Sequence, residues 1–273
     1  MVGRSLALNV VKTTAAAADR VRPPQRGVVV LIYHRVGGRT QSEIDLPAEA
    51  FDRQMAWLSD SGRALTLDAA LDRLTSTEVP NDADPVVVTF DDGTADLVDV
   101  ALPILVRHGV PATVYLATKH VDEGLGWPDD GVPLSWAGAR DMIASGLVTI
   151  GSHTHSHALL DRLPLDAAVH ELDRSQGLIQ DKLQVTAEDF AYPKAVPPTP
   201  EVETLVRQRF RSAALGGSRP NPYGRSDLHR LCRTAIQASD GMEFFRRKAD
   251  GGLALEDTVR RAVNRLRYRN AVN

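Results

Sequence analysis

The sequence predicts an α/β fold built around a parallel sheet. Two observations carry the prediction: from residue 28 onward, short β-branched, apolar runs alternate with amphipathic stretches, and these runs are apolar enough to be strands buried on both faces. Strands that alternate with helices form right-handed βαβ units. Both a doubly wound sheet and a (β/α) barrel satisfy this pattern.

The strands and helices can be assigned in chain order. Strands are predicted where apolar residues run together, over 28–33, 85–90, 112–117, 147–150, 189–192, 212–215 and 231–236. Helices are predicted where apolar residues recur every three or four positions, near 51–62, 66–74, 95–108, 136–145, 165–183, 201–211 and 255–268. Thr66 can cap the second helix, and Gly146 ends the helix that precedes strand 147–150.

Composition excludes several classes of protein. The chain has 273 residues, a formal charge of -3, 43% apolar and 25% charged residues, which are average values for a globular protein. Collagen-like, disulfide-stapled and largely disordered chains are therefore excluded, and the near-neutral charge gives no reason to expect a nucleic-acid partner. The single cysteine, Cys232, lies in an apolar run and is interpreted as buried packing.

The chain divides into a short start and one large domain. Residues 1–26 are interpreted as an N-terminal helix or tail with a linker that contains Pro23 and Pro24, and residues 27–273 as the main folded domain. No run approaches the roughly 18 apolar residues of a membrane span. The start lacks a persuasive export signal, which favours a cytoplasmic location, with the cell envelope or secretion as the alternative. The oligomeric state is left open.

The most informative strand, 85–90, runs directly into Asp91 and Asp92. Ligands of parallel α/β folds bind beyond the carboxyl ends of the strands, which is where these acids lie. Neighbouring side chains on a strand point to opposite faces, so both acids reach one site only if the chain turns, as Gly93 permits. Two nearby carboxylates repel each other, and a bound cation would neutralise them.

A histidine cluster follows the strand 147–150. Three of the eight histidines, His153, His155 and His157, fall within five residues, and imidazole is the commonest ligand of zinc and similar ions. In a helical turn His153 and His157 would share a face, whereas in an extended chain all three would do so. Spacing alone therefore predicts a metal site without choosing its ligands.

The segments 89–93 (TFDDG) and 153–157 (HTHSH) resemble the first two motifs of the polysaccharide deacetylases, the NodB-like carbohydrate esterases. The segments 31–36 (LIYHRV) and 190–193 (FAYP) also resemble one branch of that family, which includes domains that deacetylate poly-N-acetylglucosamine. The resemblance covers residues 28–252 and implies a distorted (β/α)7 barrel.

The resemblance also implies roles for individual residues. In the family's pattern the second Asp and the outer two histidines bind a divalent metal ion, here Asp92, His153 and His157, and the ion is most often Zn²⁺. Asp91 takes the place of the general base, and His155 that of a variable position. Three protein ligands leave coordination positions open, as catalytic zinc sites do.

The general acid is less clearly indicated. The family's usual acid is a His in a Leu-x-His motif near the C-terminus, and His229 matches these letters but precedes the strand 231–236 within a polar segment. In the branch that the chain resembles, the acid instead follows the first strand, which selects His34. We expect His34 to be the acid, with His229 as the alternative.

The third motif departs from the family's pattern. Where many relatives have Arg-x-Pro followed by an aromatic residue, this chain has 191–194 (AYPK). Tyr192 and Pro193 are assigned to substrate binding by the resemblance. Arg233 is assigned to substrate binding with them, and it resembles an Arg of the branch that would supply the missing charge, although an Arg beside a strand is usually a surface or ion-pair residue.

Together these features predict a metal-dependent hydrolase that removes acetyl groups from N-acetylated amino sugars of an oligo- or polysaccharide. A glycan-binding relative with weak or no turnover is one alternative, indicated by the altered third motif. A hydrolase of a non-sugar amide or ester is the other.

Overall fold

Seven parallel strands form the main sheet in the computed structural model, which describes residues 2–259. In chain order the strands are β1 (Val29–Tyr33), β2 (Arg35–Val36), β3 (Asp45–Leu46), β4 (Val86–Phe90), β5 (Ala112–Leu116), β6 (Val148–Ser152), β7 (Asp189–Ala191), β8 (Ser212–Ala214) and β9 (Thr234–Ala235). The order across the main sheet is β8-β7-β6-β5-β4-β1-β9, while β2 and β3 pair separately.

Helices connect most neighbouring strands and cover the outside of the sheet. They are α1 (Val2–Val21), α2 (Ala48–Asp60), α3 (Leu67–Thr75), α4 (Leu102–His108), α5 (Thr118–Glu123), α6 (Trp136–Ala144), α7 (Leu165–Leu183), α8 (Pro200–Arg209) and α9 (Gly241–Ala249). Their apolar stripes are buried: Phe51, Met55 and Leu58 of α2, for example, all pack in the largest hydrophobic cluster. Burial of these stripes, rather than helix propensity, holds such short helices in place.

The sheet curls until its two edges approach each other. Beyond β8, the Leu215 amide donates to the carbonyl of Leu231 (2.8 Å) and the Gly217 amide to that of Arg233 (2.9 Å), just before β9 begins. The architecture is a distorted (β/α)7 barrel, so the predicted fold class is confirmed. The carboxyl ends of its strands meet at one end of the barrel, because all pairings in the main sheet are parallel.

The predicted elements differ from the observed ones at one helix start and in one polar strand. The expected helix 95–108 begins with a π-helical turn, Leu97–Ala101, before α4, and the expected strand 231–236 is reduced to the two residues of β9. The short elements α5, β2 and β3 carry too few apolar residues to show a periodicity. From residue 260 onward, the predicted last helix lies outside the described residues.

The first helix, α1, packs against the barrel domain through a buried charge cluster. Lys12 is fully buried, and its Nζ lies 2.8 Å from Asp240 Oδ1, while Lys248 of α9 pairs with the same carboxylate. A buried charge is tolerated only where it is paired, so these contacts tie α1 to α9. None of the helices in the described part of the chain has the length and apolar character needed to cross a lipid bilayer.

Candidate metal and active site

The turn after β4 sends two neighbouring carboxylates to the same end of the barrel. The amide of Asp91 donates to the carbonyl of Tyr33 on β1 (3.0 Å), which is the last ladder bond of the strand. The next two residues, Asp92 (φ 74°) and Gly93 (φ 86°), have left-handed backbone conformations. Such a turn breaks the alternation of side chains along the strand, so both acids reach one site.

The histidine segment after β6 is neither helical nor extended. Thr154 and His157 have φ values of 65° and 60°, so the backbone twice enters the left-handed region. His153 and His157 are brought together, with ring centroids 5.0 Å apart. His155 points elsewhere, since its Nδ1 lies 3.0 Å from Thr118 Oγ1 at the start of α5.

Asp92, His153 and His157 form a cluster that could hold a metal ion. Asp92 Oδ1 lies 3.4 Å from His157 Nε2 and 3.7 Å from His153 Nε2, and the ligand atoms of all three residues lie within 4.8 Å of one another. Ligand atoms at about 2.0–2.1 Å from a tetrahedral zinc ion are separated by roughly 3.4 Å. The donor types and their spacing therefore fit a small divalent ion.

A hydrogen bond orients the imidazole of His153. Its Nδ1 lies 2.7 Å from the carbonyl oxygen of Ala191, which can only accept, so Nδ1 carries the proton. The Nε2 lone pair then faces Asp92. Metal-binding histidines commonly have this second hydrogen bond, which fixes both the tautomer and the ring.

The two carboxylates have opposite electrostatic environments. Burial alone would raise the pKa of Asp91, but the charge of Arg233, with smaller contributions from His153 and His34, lowers that pKa to about 2. Burial raises the pKa of Asp92 to about 6, and the charge of Asp91 adds to this increase. Burial also lowers the pKa of His153 and of His157, so both imidazoles stay neutral and able to bind a cation.

Arg233 is a fully buried partner of Asp91. Its Nη1 and Nη2 donate to the two carboxylate oxygens at 2.6 and 2.8 Å, and Nη1 also donates to Thr89 Oγ1 at 3.1 Å. The guanidinium lies over the ring of Tyr115, 5.2 Å from its centroid. This bidentate pair fixes Asp91 beside the cluster, with Asp91 Oδ2 4.0 Å from His153 Nε2.

The remaining residues predicted for the site lie in different places. His34 follows β1 and is near enough to Asp91 for its charge to lower that carboxyl's pKa. His229 is engaged elsewhere, with Nε2 2.7 Å from the Phe210 carbonyl and Nδ1 3.3 Å from Arg207 Nη1. The structure therefore brings His34, but not His229, to the carboxylate pair.

The third motif presents its backbone, rather than its tyrosine, to the cluster. The ring of Tyr192 packs on Phe190 in a cluster covered by α7 and α8, because alternate residues of β7 face outward together. Pro193 is buried in the following turn, where Lys194 has φ 53°. The charge of Lys194 lowers the pKa of both Asp92 and His157, so Lys194 lies near enough to affect the cluster.

Sequence reasoning did not identify two rings beside the cluster, His120 and Trp127. Trp127 meets His157 edge to face at 5.3 Å, and His120 stacks on Trp127 at 3.6 Å. Both follow β5, at the same end of the barrel as the acids. The sequence showed only that both residues follow a central strand. No motif or repeated spacing distinguished them from other residues in that segment.

The model of the polysaccharide deacetylase family matches residues 78–209, a range that contains Asp91, Asp92, His153 and His157. This part of the chain, just under half of its length, is therefore similar to the polysaccharide deacetylases. The family match ends before Arg233 and begins after His34, so both of these residues come to the site from outside the matched range.

Individual relatives agree with the family. The Bacillus subtilis protein YxkH, named for the same family, is 27% identical over 165 residues. That match covers 60% of this chain and 55% of YxkH, so the chain spans about half the length of this curated relative.

Two solved structures share the fold of this chain. IcaB from Ammonifex degensii superposes with a TM-score of 0.70 at 25% identity, over 83% of this chain and 97% of the other. The Streptococcus pyogenes deacetylase PplD, solved with acetate, gives a TM-score of 0.70 at 21% identity, over 83% and 99% of the two chains. The second likeness bears on the fold alone.

Proposed function

We propose that this chain is a metal-dependent hydrolase that removes acetyl groups from N-acetylated amino sugars in an oligo- or polysaccharide, with Zn²⁺ as its ion. The observation that carries the proposal is the pair of adjacent carboxylates in different environments. Asp91 is bound to Arg233, whereas Asp92 has two imidazoles and no cationic hydrogen-bond partner among the described residues. This difference suits Asp91 to the role of a base and Asp92 to that of a metal ligand.

Asp92, His153 and His157 would hold the ion. When bound, the ion supplies a polarised acyl oxygen and a water of lowered pKa. The protein residues prepare the site for this chemistry. The Ala191 carbonyl keeps the Nε2 lone pair of His153 directed toward Asp92, and the three ligands leave coordination positions for water and substrate.

Asp91 acts as the general base in this proposal. Arg233 keeps the Asp91 carboxylate ionised throughout the physiological range and fixes its orientation. A carboxylate with so low a pKa is a weak base, so proton transfer to it depends on the increased acidity of the attacking water. The geometry places Asp91 Oδ2 beside His153, at the border of the cluster.

His34 acts as the general acid that protonates the departing amine. It follows β1, which is paired with β4 in register Tyr33 to Phe90, so it is next to Asp91 at the same strand end. Base and acid would then approach the acetamide from adjoining strands. Pro193 shapes the turn that carries Lys194 to the same site.

Acetate release tests the proposed function. The purified chain, depleted of metal and then reloaded with Zn²⁺ or Co²⁺, should release acetate from chito-oligosaccharides or poly-N-acetylglucosamine fragments, and chelation should abolish release. Asp91→Asn is the matched control, because it removes the base and leaves the three ligands. No release from these substrates or from acetyl esters, under any metal, would contradict the proposal.

A second candidate is a glycan-binding relative with poor turnover. The observation in its favour is Lys194, whose positive charge lowers the pKa of two groups in a cluster that should itself bind a cation. Like charges repel, which would weaken metal binding. Tight oligosaccharide binding without acetate release, measured on the metal-loaded chain, would favour this candidate.

A further inference from the structure

The two imidazoles of the cluster are supported differently. His153 has a hydrogen bond from Nδ1 to the Ala191 carbonyl. The Nε2 of His157 lies 3.4 Å from Asp92 Oδ1, but across residues 2–259 no hydrogen bond reaches its Nδ1. The backbone of His157 is also in the left-handed region, at φ 60°. His157 therefore needs another contact to hold its ring.

Trp127 supplies such a contact. Its ring meets that of His157 at 5.3 Å with an interplanar angle of 88°, which is a favourable edge-to-face arrangement. On its other side, Trp127 stacks on His120 at 3.6 Å and 9°. His120 is fixed in turn, since its Nδ1 lies 2.9 Å from the carbonyl of Leu125. The three rings form one continuous packed row.

The backbone around Trp127 is rigidly held. Trp127 and Gly131 exchange two backbone hydrogen bonds, at 2.7 and 3.2 Å, which close a short hairpin. A side chain at Gly131 would place its Cβ only 2.6 Å from the Cβ of Trp127, so glycine is required by this close approach. Arg35, which is buried, donates from Nη1 to the Asp129 carbonyl at 2.9 Å.

Two further hydrogen bonds join this hairpin to the catalytic turn. The amide of Leu134 donates to the carbonyl of Gly93 at 3.0 Å, and that of Ala95 donates to the carbonyl of Val132 at 2.9 Å. The segment that carries Trp127 is therefore fixed to the residues that follow Asp91 and Asp92. A displacement of the hairpin would move the support of His157 relative to Asp92.

We propose that Trp127 is a positioning residue that holds the metal ligand His157 in place by edge-to-face packing, in the role that a hydrogen bond fulfils for His153. This inference rests on one part of the proposed function, namely that the cluster binds a metal ion. His120 and Arg35 act one step further away, by holding Trp127. Loss of a group that orients a ligating histidine typically weakens metal affinity about 10–100-fold.

Cobalt binding to the metal-depleted full chain tests the proposal. Trp127→Ala should raise the dissociation constant for Co²⁺ about tenfold and change the visible absorption of the bound ion, because His157 is no longer held in one orientation. Trp127→Phe keeps an aromatic edge and should stay within about threefold of the unmodified chain. His120→Ala, which leaves the tryptophan in place, should have an intermediate effect.

Trp57→Ala is the matched control. Trp57 lies on α2, where it packs on Phe245, and should leave cobalt affinity and spectrum unchanged. The proposal is overturned if Trp127→Ala binds Co²⁺ with the unmodified affinity and spectrum, or if Trp57→Ala weakens binding equally. If Trp127→Ala does not fold, Trp127→Leu and His120→Ala decide by the same criteria.

These results are distinguishable from failure of the proposed function. Cobalt binding that depends on Trp127, without acetate release from any glycan, would contradict the function and support the positioning role. Absence of cobalt binding to the unmodified chain would overturn both.

Discussion

Asp91 and Asp92 are adjacent in the chain, but the structure surrounds them differently. Asp91 belongs to the side of the site formed by β1, β4 and the segment before β9, where Arg233 neutralises it through two hydrogen bonds. Asp92 belongs to the side formed with the loop after β6, where two neutral imidazoles lie within 4 Å of its carboxylate. The protein satisfies the first side by itself, and in the proposed function a cation completes the second.

This difference would allow one turn to provide both the proposed base and the proposed metal ligand. A carboxylate that is already ion-paired gains little from a metal ion, whereas an unpaired buried carboxylate gains much. The two sides can be tested separately, and the expected effects decrease from the proposed base to residues outside the cluster.

Substitution of the base should have the largest effect on turnover. Asp91→Asn should reduce kcat by about 10²–10⁴-fold, because it removes the proton acceptor, while metal content stays at the level of the unmodified chain. The measurement pairs acetate release with elemental analysis. Loss of metal in this variant would show that Asp91 is itself a ligand and that the two sides are not separate.

The ion pair should have the next largest effect, on stability. Arg233→Met leaves Asp91 buried without a partner and should lower the free energy of unfolding by about 3–5 kcal/mol, measured by urea denaturation. The double variant Arg233→Met with Asp91→Asn should recover most of this loss, since neither charge then remains. Equal stability of Arg233→Met and the unmodified chain would contradict the account.

Substitution of Asp92, which has no ion-pair partner, should increase stability rather than decrease it. Asp92→Asn should raise the free energy of unfolding of the metal-free chain by about 1–3 kcal/mol at neutral pH, because it removes a buried charge whose pKa is about 6. Asn also tolerates the left-handed backbone at this position. The same variant should lose metal binding, so function and stability conflict here.

The difference in stability between Asp92→Asn and the unmodified chain should become smaller at low pH. Below about pH 6 the folded chain takes up a proton at Asp92, whereas the unfolded chain does so only near its ordinary value of about 3.8. The stability advantage of Asp92→Asn should therefore be complete above pH 6 and should shrink as the pH falls toward 4. An advantage that stays constant over this window would contradict the raised pKa.

The smallest effect is expected outside the cluster. His155→Ala should leave metal content and turnover nearly unchanged, because its Nδ1 is bonded to Thr118, whereas His153→Ala should lose the metal. Elemental analysis measures the metal content of the two variants for this comparison. Metal loss in the His155 variant would mean that the wrong pair of imidazoles has been assigned.

The long apolar strands and the two motifs at their ends were predictable from sequence because their signals are local. Strand 85–90 differs from β4 by one residue, and the acids and histidines follow the strand ends as expected. The direction of Tyr192 could not be predicted, since a strand buried on both faces does not show which alternate residues point inward.

Contacts between distant segments were harder to predict. Arg233 and Asp91 are 142 residues apart, and only a resemblance to the family suggested that they act together. Trp127 reaches His157 because a hairpin is closed by Gly131 and held by Arg35, and no spacing in the sequence encodes that arrangement.

Anomalous diffraction from crystals of the zinc-loaded chain tests the central claim most directly. The account predicts one ion at the end of the barrel, bound by Asp92 and by Nε2 of His153 and His157, while Asp91 stays bonded to Arg233. An ion bound by Asp91, or an ion at any site that leaves His153 and His157 unliganded, would contradict it.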